Sequence, residues 1–355
     1  MKATITAALG AVLMLATLAP AQAADDTLYL FNWADYISPD LIKEFEQTHH
    51  VKVVQNFYGG NSELQAKLQA GADSQYDVIV PSSYFIKKLV NLGLIQKLDH
   101  SQLPNLKNLY SRFQDPEYDP NDTYSVPYQW GTTGIAYNTE HIKNAPESWS
   151  LLFDPKQNEN YPFALLLGDG EVIMGGACAY LGLDYTCQSK DKWVQAAQLI
   201  IKTKNRKNMT GFVDGDPALT QLEHGVVDVA VTFNGNVASD ASENPEMFKH
   251  IKYFLPKEGT ELWVDTMAIP THAPHPKLAH EFINFLLDAH KGAELSNYNY
   301  YASPNEAAKP YLDDILQTPL ITPTAEQMKH LYFTPTLTGE TLKTFNQIWS
   351  EVRSQ

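Results

Sequence analysis

From Thr27 onward, short apolar runs alternate with amphipathic segments, and that alternation restricts the chain to architectures in which helices cover a mostly parallel sheet. Residues 27–32 read as a buried strand. Ser38 then caps a helix with Pro39 at its first position and Leu41, Ile42 and Phe45 along one face. Residues 51–54 and 77–80 read as further strands, the latter stopped by Pro81, and residues 62–70 and 84–91 as helices. Residues 103–122, rich in Pro, Asn and Asp, read as a loop. Residues 132–137 then form a strand leaving the first unit. A second series follows, with strands at 163–167, 226–232 and 251–255 and helices at 171–181 and 192–203. Residues 266–269 and the helical stretch 276–287 return to the first unit. The expectation is an α/β chain of two lobes, each a mostly parallel sheet flanked by helices: residues 24–131 and 266–310 in one, 132–265 and 311–355 in the other.

A chain of 355 residues suits two such units, and its 44% apolar content is too high for a disordered polymer. Residues 1–23 carry one cation, Lys2, an Ala- and Leu-rich run, and the small-x-small ending Ala21, Gln22, Ala23, which is the pattern of a cleaved secretory signal. The chain is therefore expected to be exported. With 41 acidic against 26 basic side chains the formal charge is −15, and loss of Lys2 makes it −16. Nucleic acid is excluded as a partner by the lack of clustered cations. The two cysteines, Cys178 and Cys187, are close in sequence and exported, so a disulfide is expected, with two free buried thiols as the alternative.

Recognisable enzyme signatures are missing: there is no Gly-x-Ser-x-Gly elbow, Walker loop or His-Glu-x-x-His, and Gly168, Gly170, Gly175 and Gly176 have the wrong spacing for a phosphate cradle. His272, His275 and His280, or His49 and His50, invite a metal reading, but Pro274 and Pro276 break the first group out of a regular helix, so solvated loop histidines are favoured. Tyr298, Tyr300 and Tyr301 have the phenols a ferric site uses, against packing in a core. No cofactor is expected. More informative are rings and carboxylates where predicted strands end: Trp33, Asp35 and Tyr36; Ser82 and Tyr84; Asp169 and Glu171; and Trp263 and Asp265 at the later crossover. Ligands of open α/β sheets bind outside the carboxyl ends of strands, so these residues are expected to share a cleft. Carboxylates pair with ammonium groups while flat rings cover methylenes, which suits a flexible cation carrying several amines.

The stretches "LYLFNWADYISPDLI", "YDVIVPSSYFIKKL", "YSVPYQWGTTGIAYN", "FNGN", "PKEGTELWVDTMAIP" and "INFLL" together resemble the periplasmic polyamine-binding proteins, the spermidine and putrescine receptors of ABC importers. The resemblance runs from Thr27 to about Asn305. It implies the two-lobed periplasmic-binding-protein fold of class II, closing over its ligand. By matching position, Trp33, Tyr36, Tyr84, Trp263 and Tyr301 correspond to an aromatic box, Ser82 to a polar contact, Glu171 and Asp265 to carboxylates that hold amines, and Asp35 to an acidic neighbour. Ala34 departs by lacking a hydroxyl, Phe233 by replacing a Trp, and the turn from Asp169 to Glu171 by being one residue shorter. The implied partners are a polyamine and inner-membrane permease subunits of an ABC transporter, with the chain acting as a monomer and not as an enzyme. Readings left beside it are a ferric or other small-cation receptor, a polyamine-sensing co-receptor, and an exported hydrolase.

Overall fold

The computed structural model describes residues 26–168 and 170–354; the expected export signal and Asp169 lie outside the described residues. The chain runs β1 (Asp26–Asn32), α1 (Pro39–His49), β2 (Val51–Phe57), α2 (Asn61–Gln69), β3 (Val78–Ile79) and α3 (Ser83–Asn91) before the long strand β4 (Ser125–Asn138). There follow α4 (Ser150–Phe153), β5 (Phe163–Leu166), α5 (Glu171–Tyr180), α6 (Lys190–Lys204), β6 (Met209–Val213), α7 (Gly215–Glu223), β7 (Val229–Phe233), α8 (Asn234–Glu243), α9 (Pro245–Phe248) and β8 (Ile251–Phe254). A second long strand, β9 (Thr260–Ala268), leads to α10 (Pro276–Leu286) and α11 (Ala289–Asn299), and the chain closes with β10 (Leu331–Phe333) and α12 (Gly339–Ser354). None of the described helices is long and apolar enough to cross a membrane.

Local chemistry explains the helix starts. Ser38 accepts from the backbone N–H groups of Asp40 and Leu41, and Pro39 follows where a missing N–H costs nothing. The buried Leu41, Ile42 and Phe45 form the inward stripe of α1. In α12 the buried Phe345, Ile348, Trp349 and Val352 repeat at helical spacing, and they close the core beneath α6, where the Phe345 ring meets that of Trp193 at 5.2 Å.

The strand order β2-β1-β3-β9-β4-β7-β5-β6 describes two sheets joined through their long strands. β1 pairs in parallel with β2 and β3, and β5 in parallel with β6 and β7. β4 pairs antiparallel with β9 from Ser125 to Thr132 and antiparallel with β7 from Thr133 onward, so one uninterrupted strand belongs to both sheets. Both long strands exceed their sequence expectation: β4 starts at Ser125 rather than 132, and β9 at Thr260 rather than 266. Gly131, Gly134, Thr132 and Thr266 hid the continuity, because glycine and polar residues weaken a strand signal that cross-strand pairing supplies instead. Residues 103–122, expected as a loop, contain a series of short 3₁₀ turns.

Cys178 in α5 is bonded to Cys187 in the loop after it. The loop projects Tyr185 against α5 at Gly175 and stacks it on Tyr332, with ring centroids 5.6 Å apart. Replacing both cysteines by alanine is expected to lower unfolding free energy by about 2–3 kcal/mol, the chain-entropy value for so short a loop, measured by urea denaturation at equal pH. An unchanged midpoint would show that the loop is ordered without the bond.

Candidate functional site

Three strand ends in the first sheet supply the first half of the site. After β1, the Trp33 indole Nε1 donates to the Val80 carbonyl (2.9 Å), and after β2 the Tyr58 hydroxyl donates to that same carbonyl. The two rings therefore lie together, with centroids 4.7 Å apart. Asn61, opening α2, accepts from the Ser82 backbone N–H (2.9 Å) and donates to the Ser82 Oγ (3.0 Å) and the Tyr84 hydroxyl (3.3 Å). That clamp leaves the Ser82 hydroxyl proton free to donate to Asp265 Oδ1 at 2.6 Å, while the Tyr36 hydroxyl donates to Oδ2 at 3.0 Å.

Asp265 lies in the middle of β9 with 7% of its surface exposed. Burial pushes its carboxyl up from 3.8 to about 6; the Ser82 and Tyr36 hydrogen bonds pull the other way, and the charge of Glu261 adds to the rise. Among the described residues, no Lys, Arg or His forms an ion pair with it. The two hydroxyl donors are thus set against the desolvation of a carboxylate that is costly to keep ionised in so dry a place.

Rings extend from this carboxylate across the molecule. Tyr128 meets Tyr36 at 5.2 Å, Tyr36 meets Tyr301 at 5.7 Å, Tyr301 meets Trp263 at 4.8 Å and Trp263 meets Phe233 at 6.2 Å, each pair edge to face. The series leads from the first sheet to the end of β7 and offers alternating ring faces and edges. Two glycines make room for it. A Cβ at Gly131 would fall 2.3 Å from the Trp263 ring, and one at Gly235 would fall 2.2 Å from the Tyr301 ring. Tyr301 is pinned by its hydroxyl, which donates to Asn236 Oδ1.

The sequence-predicted residues divide into three groups. Tyr36, Ser82, Tyr84, Phe233, Trp263, Asp265 and Tyr301 are joined by the contacts just described, and Trp33 stands with Tyr58 at the Val80 carbonyl, two residues before Ser82. Asp35 occupies the turn after β1, exposed and with a left-handed φ of 53°, and it enters none of those contacts. Glu171 begins α5 and lines a small cavity with Tyr185, Trp193, Thr334 and Phe345. Trp263 and Asp265 lie at the later crossover as expected, but inside β9 rather than ahead of a strand starting at residue 266. Tyr58, Asn61, Tyr128 and Asn236 were missed. Tyr58 follows β2 as Trp33 follows β1, so the strand-end rule would have found it; Tyr128 reaches Tyr36 through a register shift in β4 that no local pattern announces.

The histidines separate onto different partners. His272 pairs with Asp73, His275 with Asp77, and the buried His280 bridges the Pro276 carbonyl and the Asp99 N–H. No group of three or more His, Cys, Asp or Glu side chains among the described residues is placed to hold a metal ion. Tyr298 is 40% exposed and not in a core, while the Tyr300 and Tyr301 hydroxyls donate to different residues of α8, Ser242 and Asn236.

Residues 40–323 match the family described as bacterial extracellular solute-binding protein. The putrescine-binding periplasmic protein SpuD of Pseudomonas aeruginosa is 35% identical over 348 residues, 94% of each chain. The putrescine-binding periplasmic protein PotF of Escherichia coli is 31% identical over 361 aligned positions, covering 96% of this chain and 95% of that one. Among solved structures, a putative spermidine/putrescine ABC transporter protein from Listeria monocytogenes superposes with a TM-score of 0.83 at 33% identity, over 93% of this chain and 99% of that one.

The raised Asp265 pKa has a consequence for the protein alone. Because the folded acid holds its proton more tightly than the unfolded one, this group's contribution to stability is fully present below about pH 4 and is lost as pH rises through about 6. The loss is on the order of 3 kcal/mol. Asp265→Asn should therefore be more stable than the parent at pH 8 and no more stable at pH 3.5, by chemical denaturation; equal stability at both would place the carboxylate in a wetter setting.

Proposed function

The chain belongs to the bacterial extracellular solute-binding proteins, and we propose that it is a periplasmic receptor that captures a polyamine of the putrescine and spermidine class and delivers it to an ABC importer. The observation carrying this reading is the buried Asp265 carboxylate, held by the Ser82 and Tyr36 hydroxyls, with no cationic side chain paired to it among the described residues, beside a continuous series of aromatic rings. An ammonium group supplies the missing counter-charge and its methylenes lie against the rings. A micromolar complex requires about 8 kcal/mol. Three or four ring contacts at roughly 0.5–2 kcal/mol each, with about 0.8 kcal/mol per buried methylene, reach that sum even if the ion pairs only break even against desolvation. The net charge of −16 on the exported chain speeds encounter with a cation.

In this reading the ligand-binding residues are Trp33, Asp35, Tyr36, Ser82, Tyr84, Asp169, Glu171, Phe233, Trp263, Asp265 and Tyr301. The lobes are residues 24–131 with 266–310, and 132–265 with 311–355. They close about the crossover segments near Gly131 and from Trp263 to Thr266, where β4 and β9 run side by side. The protein acts as a monomeric carrier without catalysis, in the periplasm, and its partners are the permease subunits in the inner membrane. Its relatives, two putrescine-binding periplasmic proteins and a putative spermidine/putrescine ABC transporter protein, support this reading. A ferric receptor is disfavoured by the divergent hydrogen bonds of Tyr300 and Tyr301.

Dialysed protein should be stabilised by, and give binding heat with, at least one of putrescine, cadaverine, spermidine, norspermidine and spermine; silence with all of them at millimolar concentration would end the assignment. Asp265→Asn should weaken the best ligand more than tenfold. For the parent protein affinity should rise between pH 5 and pH 7, because the ligand binds the ionised carboxylate and Asp265 gives up its proton near pH 6. Affinity that is flat across that interval would remove Asp265 from contact with the ligand.

A further inference from the structure

β9 is a ruler. Side chains alternate along a strand, so Glu261, Trp263 and Asp265 share one face, while Leu262 and Val264 on the other are packed in an apolar cluster with Phe113, Trp130 and Ala302. The functional face therefore reads carboxylate, indole, carboxylate. Glu261 is buried at 5% exposure, accepts from Thr133 Oγ1 at 2.7 Å, and accepts also from Thr334 Oγ1. Tyr185 is the neighbour it shares with Glu171: burial first, and then the charges of these two carboxylates, raise the Tyr185 hydroxyl well above its ordinary pKa. Glu171, Tyr185 and Thr334 also line a small cavity, walled in at Cys187 by the Cys178–Cys187 loop, so Glu261 reaches its edge through Thr334.

We propose that Glu261, together with Glu171, anchors the far ammonium of a ligand whose near ammonium rests on Asp265, so that the site selects a triamine of spermidine length over a diamine. The inference deepens the polyamine reading and rests on it. The length argument is geometric. Four residues of strand separate the two carboxylates by roughly 13 Å. Both project from the same face, so ammonium groups sit above them and their spacing approaches that value. From ordinary C–C and C–N lengths the terminal nitrogens are about 6 Å apart in extended putrescine and about 11 Å apart in extended spermidine. A diamine bound at Asp265 ends over the Trp263 indole; a triamine passes over it and reaches Glu261. The Thr133 and Thr334 hydroxyls keep the Glu261 carboxylate oriented in the absence of ligand.

The test is calorimetry with putrescine and spermidine on the full exported chain and on Glu261→Gln. The parent should bind spermidine at least tenfold more tightly than putrescine, and Glu261→Gln should lose at least tenfold more affinity for spermidine than for putrescine. Equal losses for both ligands, or none for either, would overturn the assignment of Glu261. If the variant does not fold, the parent's own preference decides, because tighter binding of putrescine than of spermidine is incompatible with a carboxylate pair set this far apart. Failure of the parent to bind either amine would instead strike the polyamine reading itself.

Discussion

The meeting of Ser82, Tyr36 and Asp265 governs the rest of the site. Three residues separated by up to 229 positions place two hydroxyl donors on one carboxylate, and by doing so keep an anion in a part of the molecule where burial favours its neutral form. Asn61 is the less conspicuous member: by engaging both the backbone N–H and the Oγ of Ser82, it commits the Ser82 proton to Asp265. The carboxylate is thereby oriented, and in the proposed function it is this charge that an ammonium group meets.

The ring series gives that electrostatic centre its shape. Each successive pair from Tyr128 to Phe233 is close to perpendicular, the geometry in which a positive edge meets a negative face. Gly131 and Gly235 have no side chain because the indole of Trp263 and the phenol of Tyr301 lie on the backbone there. Neighbouring residues in this region serve opposite ends: Tyr301 belongs to the ring series, whereas Tyr300, in left-handed conformation at the end of α11, turns its hydroxyl to Ser242. The same strand that carries Asp265 carries Trp263 two residues away and Glu261 two further, so an acid, an indole and a second acid are laid out along one backbone.

The helices and short strands were legible wherever a local rule operated. Ser38 with Pro39 announces α1, and Trp33 and Ser82 announce themselves by standing just after apolar runs. α12 was not assigned although Phe345, Ile348, Trp349 and Val352 have full helical spacing, because the polar residues around them masked a stripe whose partner, α6, lies about 150 residues away. β9 was read short for the reason that matters most to the site. Thr260 and Glu261 are polar and buried, a combination that sequence patterning takes for a turn and that pairing with Thr133 and Thr334 helps to make tolerable.

What the order of residues determined by itself was the kind of molecule: the alternation that demands two covered sheets, the stock of rings and acids that suits an organic cation, the paired cysteines, and stretches specific enough to be recognised. These depend on composition and on spacings of a few residues, which a chain displays without being folded. The tertiary structure alone decided that Asp265 is dry, that Tyr128 backs Tyr36, that Gly131 lies under an indole, and that Glu261 and Glu171 share Tyr185 as a neighbour. Those facts come from contacts between residues far apart in the chain and from the register in which β4 and β9 pair, and a shift of one residue there would turn the whole functional face of β9 into the apolar core.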